Sequence, residues 1–99
     1  MQLVLQRRAE VSFRSLSPAE QKQLSRALDE IRATVPKEFY RHPKLSRLVK
    51  ASGGELYAYK GNQDLRLILS VDADTCTVED VVNHDRLNAL LPPPPPRQQ

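Results

Sequence analysis

Two side chains in this 99-residue sequence have types and positions that make them candidates for a functional site. Arg66 stands in the apolar run LRLILSV, where an arginine must reach solvent, pair with an acid or face a binding site. The acids Glu79 and Asp80 in the next apolar run are its candidate partners. His84 directly follows that run, and its unperturbed pKa of about 6.5 suits proton transfer near neutral pH. For Arg66 taken alone, pairing with an acid is the simpler interpretation. For His84 taken alone, it is an ordinary surface position.

Two further features in the segment 72–76 have weaker claims to chemistry. DADT (72–75) matches the Asp-x-Asp-x-Thr pattern of phosphoryl-transfer enzymes with an aspartate nucleophile. That chemistry needs a Mg²⁺ site and a parallel sheet, so a turn is the better interpretation here. Cys76 has no second cysteine and no nearby histidine, which argues against a nucleophile or a metal ligand. The sequence predicts neither a metal nor a cofactor.

The positive charge of the chain is concentrated in its first half. Residues 1–50 contain eleven Lys or Arg against five Asp or Glu, whereas residues 51–99 contain four against seven. The densest basic stretch is KEFYRHPKLSRLVK (37–50). Such a stretch is typical of a surface that binds RNA or DNA, and equally of a solvated helix or loop.

Length and composition indicate one domain over residues 1–91 and a proline-rich disordered tail over residues 92–99, PPPPPRQQ. The N-terminus has only three consecutive apolar residues, far fewer than a signal peptide or a membrane span needs. With a single cysteine, this pattern predicts a cytoplasmic protein.

The elements that position these residues are predicted from local signals. A short strand is expected at 2–6 and a first helical stretch at 9–16. SPAE (17–20) then begins a second helix, with Ser17 as N-cap and Glu20 completing a capping box. This helix is expected to run to Pro36 with an apolar stripe of Leu24, Ala27, Leu28, Ile31 and Val35.

Three strands are predicted next, at 55–60, 65–71 and 77–82, joined by short connections rich in turn residues. This pattern indicates an antiparallel meander. Alternation places the leucines of 65–71 on the face that packs on the helix and Arg66 on the opposite, open face. With a short C-terminal helix at 85–91, the fold class is α+β, in the order β-α-α-β-β-β.

The segment GELYAYKGNQDLRLILSVDADTCTVEDVVNHDRL (54–87) resembles the C-terminal half of the RelE/ParE superfamily, toxins of bacterial type II toxin–antitoxin systems. HPKLSRLVKASGG (42–54) is similar to the connection that leads into their sheet. The resemblance implies a RelE/ParE-like fold, in which an N-terminal strand and a helical hairpin pack on an antiparallel sheet.

The resemblance also implies an mRNA endonuclease that acts at the ribosome by attack of a ribose 2′-OH on the adjacent phosphate. Arg66 matches the arginine that contacts the scissile phosphate, and His84 matches the histidine or lysine of the terminal motif. Glu55 is the positional counterpart of an acidic base. The implied RNA-binding residues are Lys44, Arg47, Lys50, Lys60, Tyr57 and Tyr59.

The sequence departs from the family pattern after the last strand. Asp85 stands where relatives place an arginine and Asn83 where they place a glycine, and the late tyrosine is missing. A non-nucleolytic toxin that binds a protein such as DNA gyrase, or a non-toxic binding module, therefore stays open. For a toxin the resemblance implies an acidic antitoxin as partner, with the ribosome and mRNA for the nuclease. No membrane partner and no direct contact with DNA are expected.

Overall fold

A computed structural model describes residues 1–49 and 55–83 of the chain. The described elements, in chain order, are β1 (Gln2–Leu5), α1 (Arg7–Arg14), α2 (Pro18–Ala33), α3 (Pro36–Phe39), β2 (Leu45–Val49), β3 (Glu55–Lys60), β4 (Leu65–Asp72) and β5 (Thr75–Asn83). The α+β class is confirmed. The predicted C-terminal helix (85–91) and the proline-rich tail (92–99) lie outside the described residues.

The strands form one sheet in the order β1-β5-β4-β3-β2. Strands β2 to β5 are antiparallel neighbours, which confirms the predicted meander. β1 adds to β5 in parallel, with Gln2 opposite Thr75. The helices therefore carry the chain from one edge of the sheet, β1, to the other edge, β2.

Strand β2 and the one-turn helix α3 were not predicted, because the basic residues of 37–50 obscured them. Within LSRLV, Leu48 is buried whereas Arg47 is exposed, as the alternation of a half-buried strand requires. An edge strand tolerates such a charge, and a charge there discourages pairing with other chains. The basic segment is therefore partly a strand and partly a turn of helix.

Helix α2 begins as predicted and ends earlier than predicted. Ser17 Oγ accepts a hydrogen bond from the Glu20 amide at 3.2 Å, and Glu20 Oε1 accepts one from the Ser17 amide at 3.1 Å. At the other end, Val35 has an extended backbone and is 48% exposed. A residue before proline is disfavoured in helical conformation, so Pro36 ends the helix upstream of Val35. The prediction that Val35 belongs to the buried stripe is wrong.

The helices pack on one face of the sheet, called here the helical face. As predicted, the leucines of β4 and the stripe of α2 share this core, whose buried members include Leu24, Ala27, Leu28, Ile31, Leu65, Leu67, Leu69 and Val78. The opposite face, called here the second face, was predicted to be open. It carries a smaller cluster of buried apolar side chains, Leu48, Ala58, Ile68 and Val82. The prediction of a fully open second face is therefore wrong.

The DADT motif forms the hairpin turn between β4 and β5, as predicted. Asp72 pairs with Thr75, which leaves Ala73 and Asp74 as a two-residue loop. Ala73 has a φ of 54°, in the left-handed region that tight hairpin loops use. The residues of the motif therefore form the hairpin turn.

Cys76 lies in the core between β1 and β4 and has no exposed surface. Burial raises the pKa of its thiol to about 11, because the thiolate would lose its hydration. At pH 8 we expect alkylation by iodoacetamide to be at least roughly 100-fold slower in the folded protein than in guanidinium chloride, measured by mass spectrometry. Equal rates in both conditions would show that β1 leaves β5 readily in the native state.

Candidate functional site

Arg66 lies on the second face, in the central part of the sheet. It stands opposite Lys60 of β3, so two cationic residues meet across neighbouring strands. Its Nη1 atom donates hydrogen bonds to the carbonyl oxygens of Asn62 at 2.7 Å, Leu65 at 3.0 Å and Gln63 at 3.2 Å. The guanidinium is thus anchored over the β3–β4 turn by neutral main-chain acceptors.

The alternative interpretation, in which Arg66 pairs with an acid of the next strand, is wrong for both candidates. Glu79 Oε1 accepts a hydrogen bond from Ser70 Oγ at 2.7 Å. Asp80 Oδ1 accepts one from Ser12 Oγ of α1 at 3.0 Å. Among the described residues, neither carboxylate forms an ion pair with Arg66.

Glu55, predicted as the acidic base, lies on the other side of the sheet from Arg66. Glu55 and Tyr57 are two positions apart in β3, so their side chains are on the same face of the sheet. Tyr57 stands opposite Leu69 and belongs to the helical core. Its Oε2 accepts a hydrogen bond from the Tyr57 hydroxyl at 2.9 Å, and its Oε1 pairs with Arg47. The structure therefore does not bring Glu55 and Arg66 together, because alternation along β3 and β4 sends them to opposite faces.

The two tyrosines predicted to stack on bases are also turned towards the helices. Tyr59 has no exposed surface and Tyr57 is 9% exposed. Burial raises the pKa of each hydroxyl, with hydrogen bonds to Glu30 and Glu55 adding to the effect. Neither ring has an open face for a nucleobase, so the structure removes Tyr57 and Tyr59 from the RNA-contacting set.

Sequence reasoning did not identify a polar network that surrounds the Tyr59 hydroxyl, called here the Glu30 network (Glu30, His42, Lys44, Tyr59). The Tyr59 hydroxyl donates to Glu30 Oε1 at 3.1 Å and lies 3.2 Å from His42 Nε2. Lys44 Nζ contacts both oxygens of Glu30 at 3.0 Å. Because His42 Nδ1 accepts from the Lys44 amide at 3.2 Å, Nε2 is assigned the hydrogen that points to Tyr59.

The Glu30 network joins α2, the α3–β2 connection and β3. The hydrogen bond from Lys44 lowers the pKa of Glu30, against the opposing effect of burial, and the Tyr59 hydroxyl adds to the lowering. Lys44, predicted to bind RNA, is thus held by a carboxylate. No signal in the sequence connects these residues, because they come from three separate parts of the chain that are up to 29 positions apart.

The remaining predicted site residues divide between the two faces or lie beyond the described ranges. Lys60 is exposed beside Arg66 on the second face, and Arg47 is exposed on the helical face with Glu55. Lys50 and His84 lie outside the described residues. Of the predicted site residues, Arg66 and Lys60 are the two that the described residues place opposite each other on the second face.

Two shallow clefts border the Glu30 network. One of about 350 Å³ lies between the end of α2 and α3 and is lined in part by Arg41 and His42. The other, of about 230 Å³, lies between α2 and the β3–β4 turn and is lined in part by Arg26 and Lys44. Among residues 1–49 and 55–83, no helix is long and apolar enough to cross a membrane, and no three His, Cys, Asp or Glu side chains form a metal-binding group.

Comparison with known proteins identifies the fold. No family model and no curated protein matches the sequence. Among solved structures, a chain of the archaeal RelE–RelB complex from Pyrococcus horikoshii OT3 is similar, with a TM-score of 0.63 and 18% identity over 86% of this chain and 96% of that one. A copper-bound mutant toxin from Helicobacter pylori is similar with a TM-score of 0.53 and 13% identity, over 88% of this chain and 98% of that one. The chain therefore has the RelE-like fold.

Proposed function

We propose that the protein is the toxin of a toxin–antitoxin pair and an mRNA endonuclease that acts at the ribosome in the cytoplasm. The observation that carries this proposal is the position of Arg66 in the RelE-like fold. Its guanidinium lies on the second face, is anchored by main-chain carbonyl oxygens and pairs with neither Glu79 nor Asp80. A fixed cation of this kind suits a phosphate group.

The chemistry proposed is attack of a ribose 2′-OH on the adjacent phosphate. Charge builds up on the phosphate oxygens in the transition state, and preorganised cations stabilise that charge. Arg66 would supply this stabilisation, with Lys60 beside it across the strand pair. As the bond from the 2′-oxygen to phosphorus forms, the bond from phosphorus to the 5′-oxygen breaks and the 2′-OH proton passes to water. His84 is proposed, from the family resemblance, as the proton donor for the leaving 5′-oxygen. Glu55 has no part in this step, because it lies on the helical face.

A second candidate is a non-nucleolytic toxin of the same fold that binds a protein target, such as DNA gyrase. The separation of Glu55 from Arg66 favours it, since the acidic base implied by the family resemblance is not beside the arginine. Under this alternative, toxicity would depend on a binding surface and not on the charge of Arg66.

The test is induced expression in bacteria of the wild-type protein, Arg66→Ala and Arg14→Ala, followed by growth measurement and mapping of transcript ends. Arg14 is an exposed arginine of α1 and serves as the matched control. We expect the wild type and Arg14→Ala to arrest growth with cut transcripts. Loss of one cation at the phosphate is expected to lower cleavage about 100-fold or more in Arg66→Ala and to relieve the arrest.

Other results of the same experiment would distinguish the two alternative functions. Arrest with intact transcripts, unchanged by Arg66→Ala, would overturn the nuclease proposal and support the protein-binding toxin. Harmless expression of all three proteins would indicate a non-toxic binding module. In either toxin reading we propose a small acidic antitoxin as partner, since the segment 37–49 has four basic residues against Glu38.

A further inference from the structure

Tyr40, directly after α3, presents an aromatic ring on the surface of the protein. The residue is 56% exposed, whereas its neighbours Phe39 and Tyr57 are 1% and 9% exposed. Its centroid lies 5.7 Å from that of Phe39, edge-on at 87°, and 5.5 Å from that of Tyr57, at 57°. Two buried rings therefore hold Tyr40 in place while more than half of its surface remains in solvent.

The charged residues near Tyr40 are three cations, Lys37, Arg41 and Arg47, and two acids, Glu38 and Glu55. Lys37 and Arg41 precede and follow it closely in the chain, and both are exposed. Arg47 stands opposite Tyr57 in the β2–β3 pairing, so its side chain is on the same face of the sheet as the ring that Tyr40 contacts. The side chains of Arg47 and its partner Glu55 are 64% and 50% exposed. Such an exposed ion pair is weak, so Arg47 can give up the carboxylate for a phosphate at little cost in free energy.

An exposed, rigid aromatic ring beside cations is the arrangement by which proteins bind single-stranded nucleic acid. Bases stack on the ring and phosphates contact the cations, while a paired duplex hides its base faces. We propose that Tyr40 stacks on a base of single-stranded RNA and that Arg47 contacts a phosphate of the same strand. RNA as the ligand rests on the proposed function; the stacking site itself rests on the packing of Tyr40.

This site lies apart from the candidate cleavage site. Tyr40 packs on Tyr57 of the helical core, whereas Arg66 is on the second face. β2 forms the edge of the sheet and is two strands from β4, roughly 10 Å. A single strand that passes around the β2 edge contacts both sites, so Tyr40 holds RNA at a distance from the scissile phosphate. It replaces Tyr57 and Tyr59 as the stacking residue.

The experiment measures binding of a fluorescein-labelled, unstructured 12-nucleotide RNA by anisotropy at several salt concentrations. The proteins compared are the wild type, Tyr40→Ala, Tyr40→Phe, Arg47→Ala and the control Val11→Ala, which truncates an exposed apolar side chain of α1. Circular dichroism and thermal unfolding verify that each variant is folded.

We expect Tyr40→Ala to weaken binding by about 5-fold to 100-fold, since one stacked base is lost. Tyr40→Phe keeps the ring and is expected to bind within about 2-fold of the wild type. Arg47→Ala is expected to weaken binding and to lower the slope of log K against log salt by about 1. An abasic strand of equal length is expected to bind the wild type and Tyr40→Ala equally.

Wild-type affinity in Tyr40→Ala, or no RNA binding by the wild type, would overturn the inference. If binding of poly-glutamate depends on Tyr40 and binding of RNA does not, the inference is also overturned, and an acidic protein partner is indicated. The two proposals fail separately. RNA binding that depends on Tyr40 without growth arrest or cut transcripts refutes the nuclease and keeps the stacking site. Arrest relieved by Arg66→Ala, with RNA binding unaffected by Tyr40→Ala, refutes the stacking site alone.

Discussion

Leu24→Ala is expected to lower the free energy of unfolding by about 3–5 kcal/mol and Gly61→Ala by about 1–3 kcal/mol. Leu24 has no exposed surface, so its truncation leaves a cavity in the helical core. A Cβ at Gly61 would lie 2.2 Å from Leu24 Cδ2, which is too close for either atom to remain in place. Because Leu24→Ala removes that atom, the double variant is expected to cost at least about 1 kcal/mol less than the sum of the single effects.

Urea unfolding of the four proteins, followed by circular dichroism, measures this coupling. Ile31→Ala combined with Gly61→Ala is the control. Ile31 is equally buried but lies seven residues further along α2, about 10 Å away, where effects add within about 0.5 kcal/mol. Additive behaviour of Leu24 and Gly61 would contradict the close approach of the β3–β4 turn to α2.

Glu30→Ala is expected to lower the free energy of unfolding by about 2–3 kcal/mol, most of it through Tyr59. The buried Tyr59 hydroxyl loses the carboxylate that accepts its hydrogen bond. The pair with Lys44 is about half exposed, so screening limits its share to about 1 kcal/mol or less. Glu30→Gln retains an oxygen acceptor and is expected to cost less. Asp29→Ala, which removes an exposed pair with Arg32, is the control with an effect below about 0.5 kcal/mol.

The same network predicts the direction of the pH dependence. The folded protein lowers the pKa of Glu30, so its stabilising contribution is complete above the ordinary value of 4.5 and is lost as the pH falls further. Tyr59 acts in the opposite range, since its raised pKa makes stability fall as the pH rises above about 10. As the pH is lowered from 7 to 3, the urea midpoint of Glu30→Gln is expected to fall less steeply than that of the wild type. Parallel curves would show that Glu30 is not held by Lys44 and Tyr59.

The sequence predicted those elements whose signals are local. The capping box at Ser17 and the alternating runs of β3 and β4 each lie within a few residues, and the structure confirms them. β2 was missed because a half-buried edge strand with Arg47 in its middle has the composition of a basic loop. The end of α2 was misplaced because apolar spacing continued to Val35, although the following proline opposes helix there.

The position of a candidate site residue was predictable only where alternation within its own strand determines the face of the sheet on which it lies. Arg66 was placed on the face opposite the leucines of its own strand, and the structure agrees. Glu55 was misassigned, because its face depends on how β3 pairs with β4, and that register is not readable from either strand alone. Tyr40 and the Glu30 network depend on packing between distant segments. Composition shows that tyrosines are present without showing which ring is buried.

The pairing of β1 with β5 has a consequence for synthesis on the ribosome. β1 emerges first, yet its partner, Thr75 to Val78, is among the last described segments to be made. Until then α2 has no complete sheet to cover its apolar stripe, and contacts of such long sequence separation form late in folding. Arg66 is also translated late. Under the proposed function, we expect the surface around Arg66 to be complete only after β5 has joined the sheet.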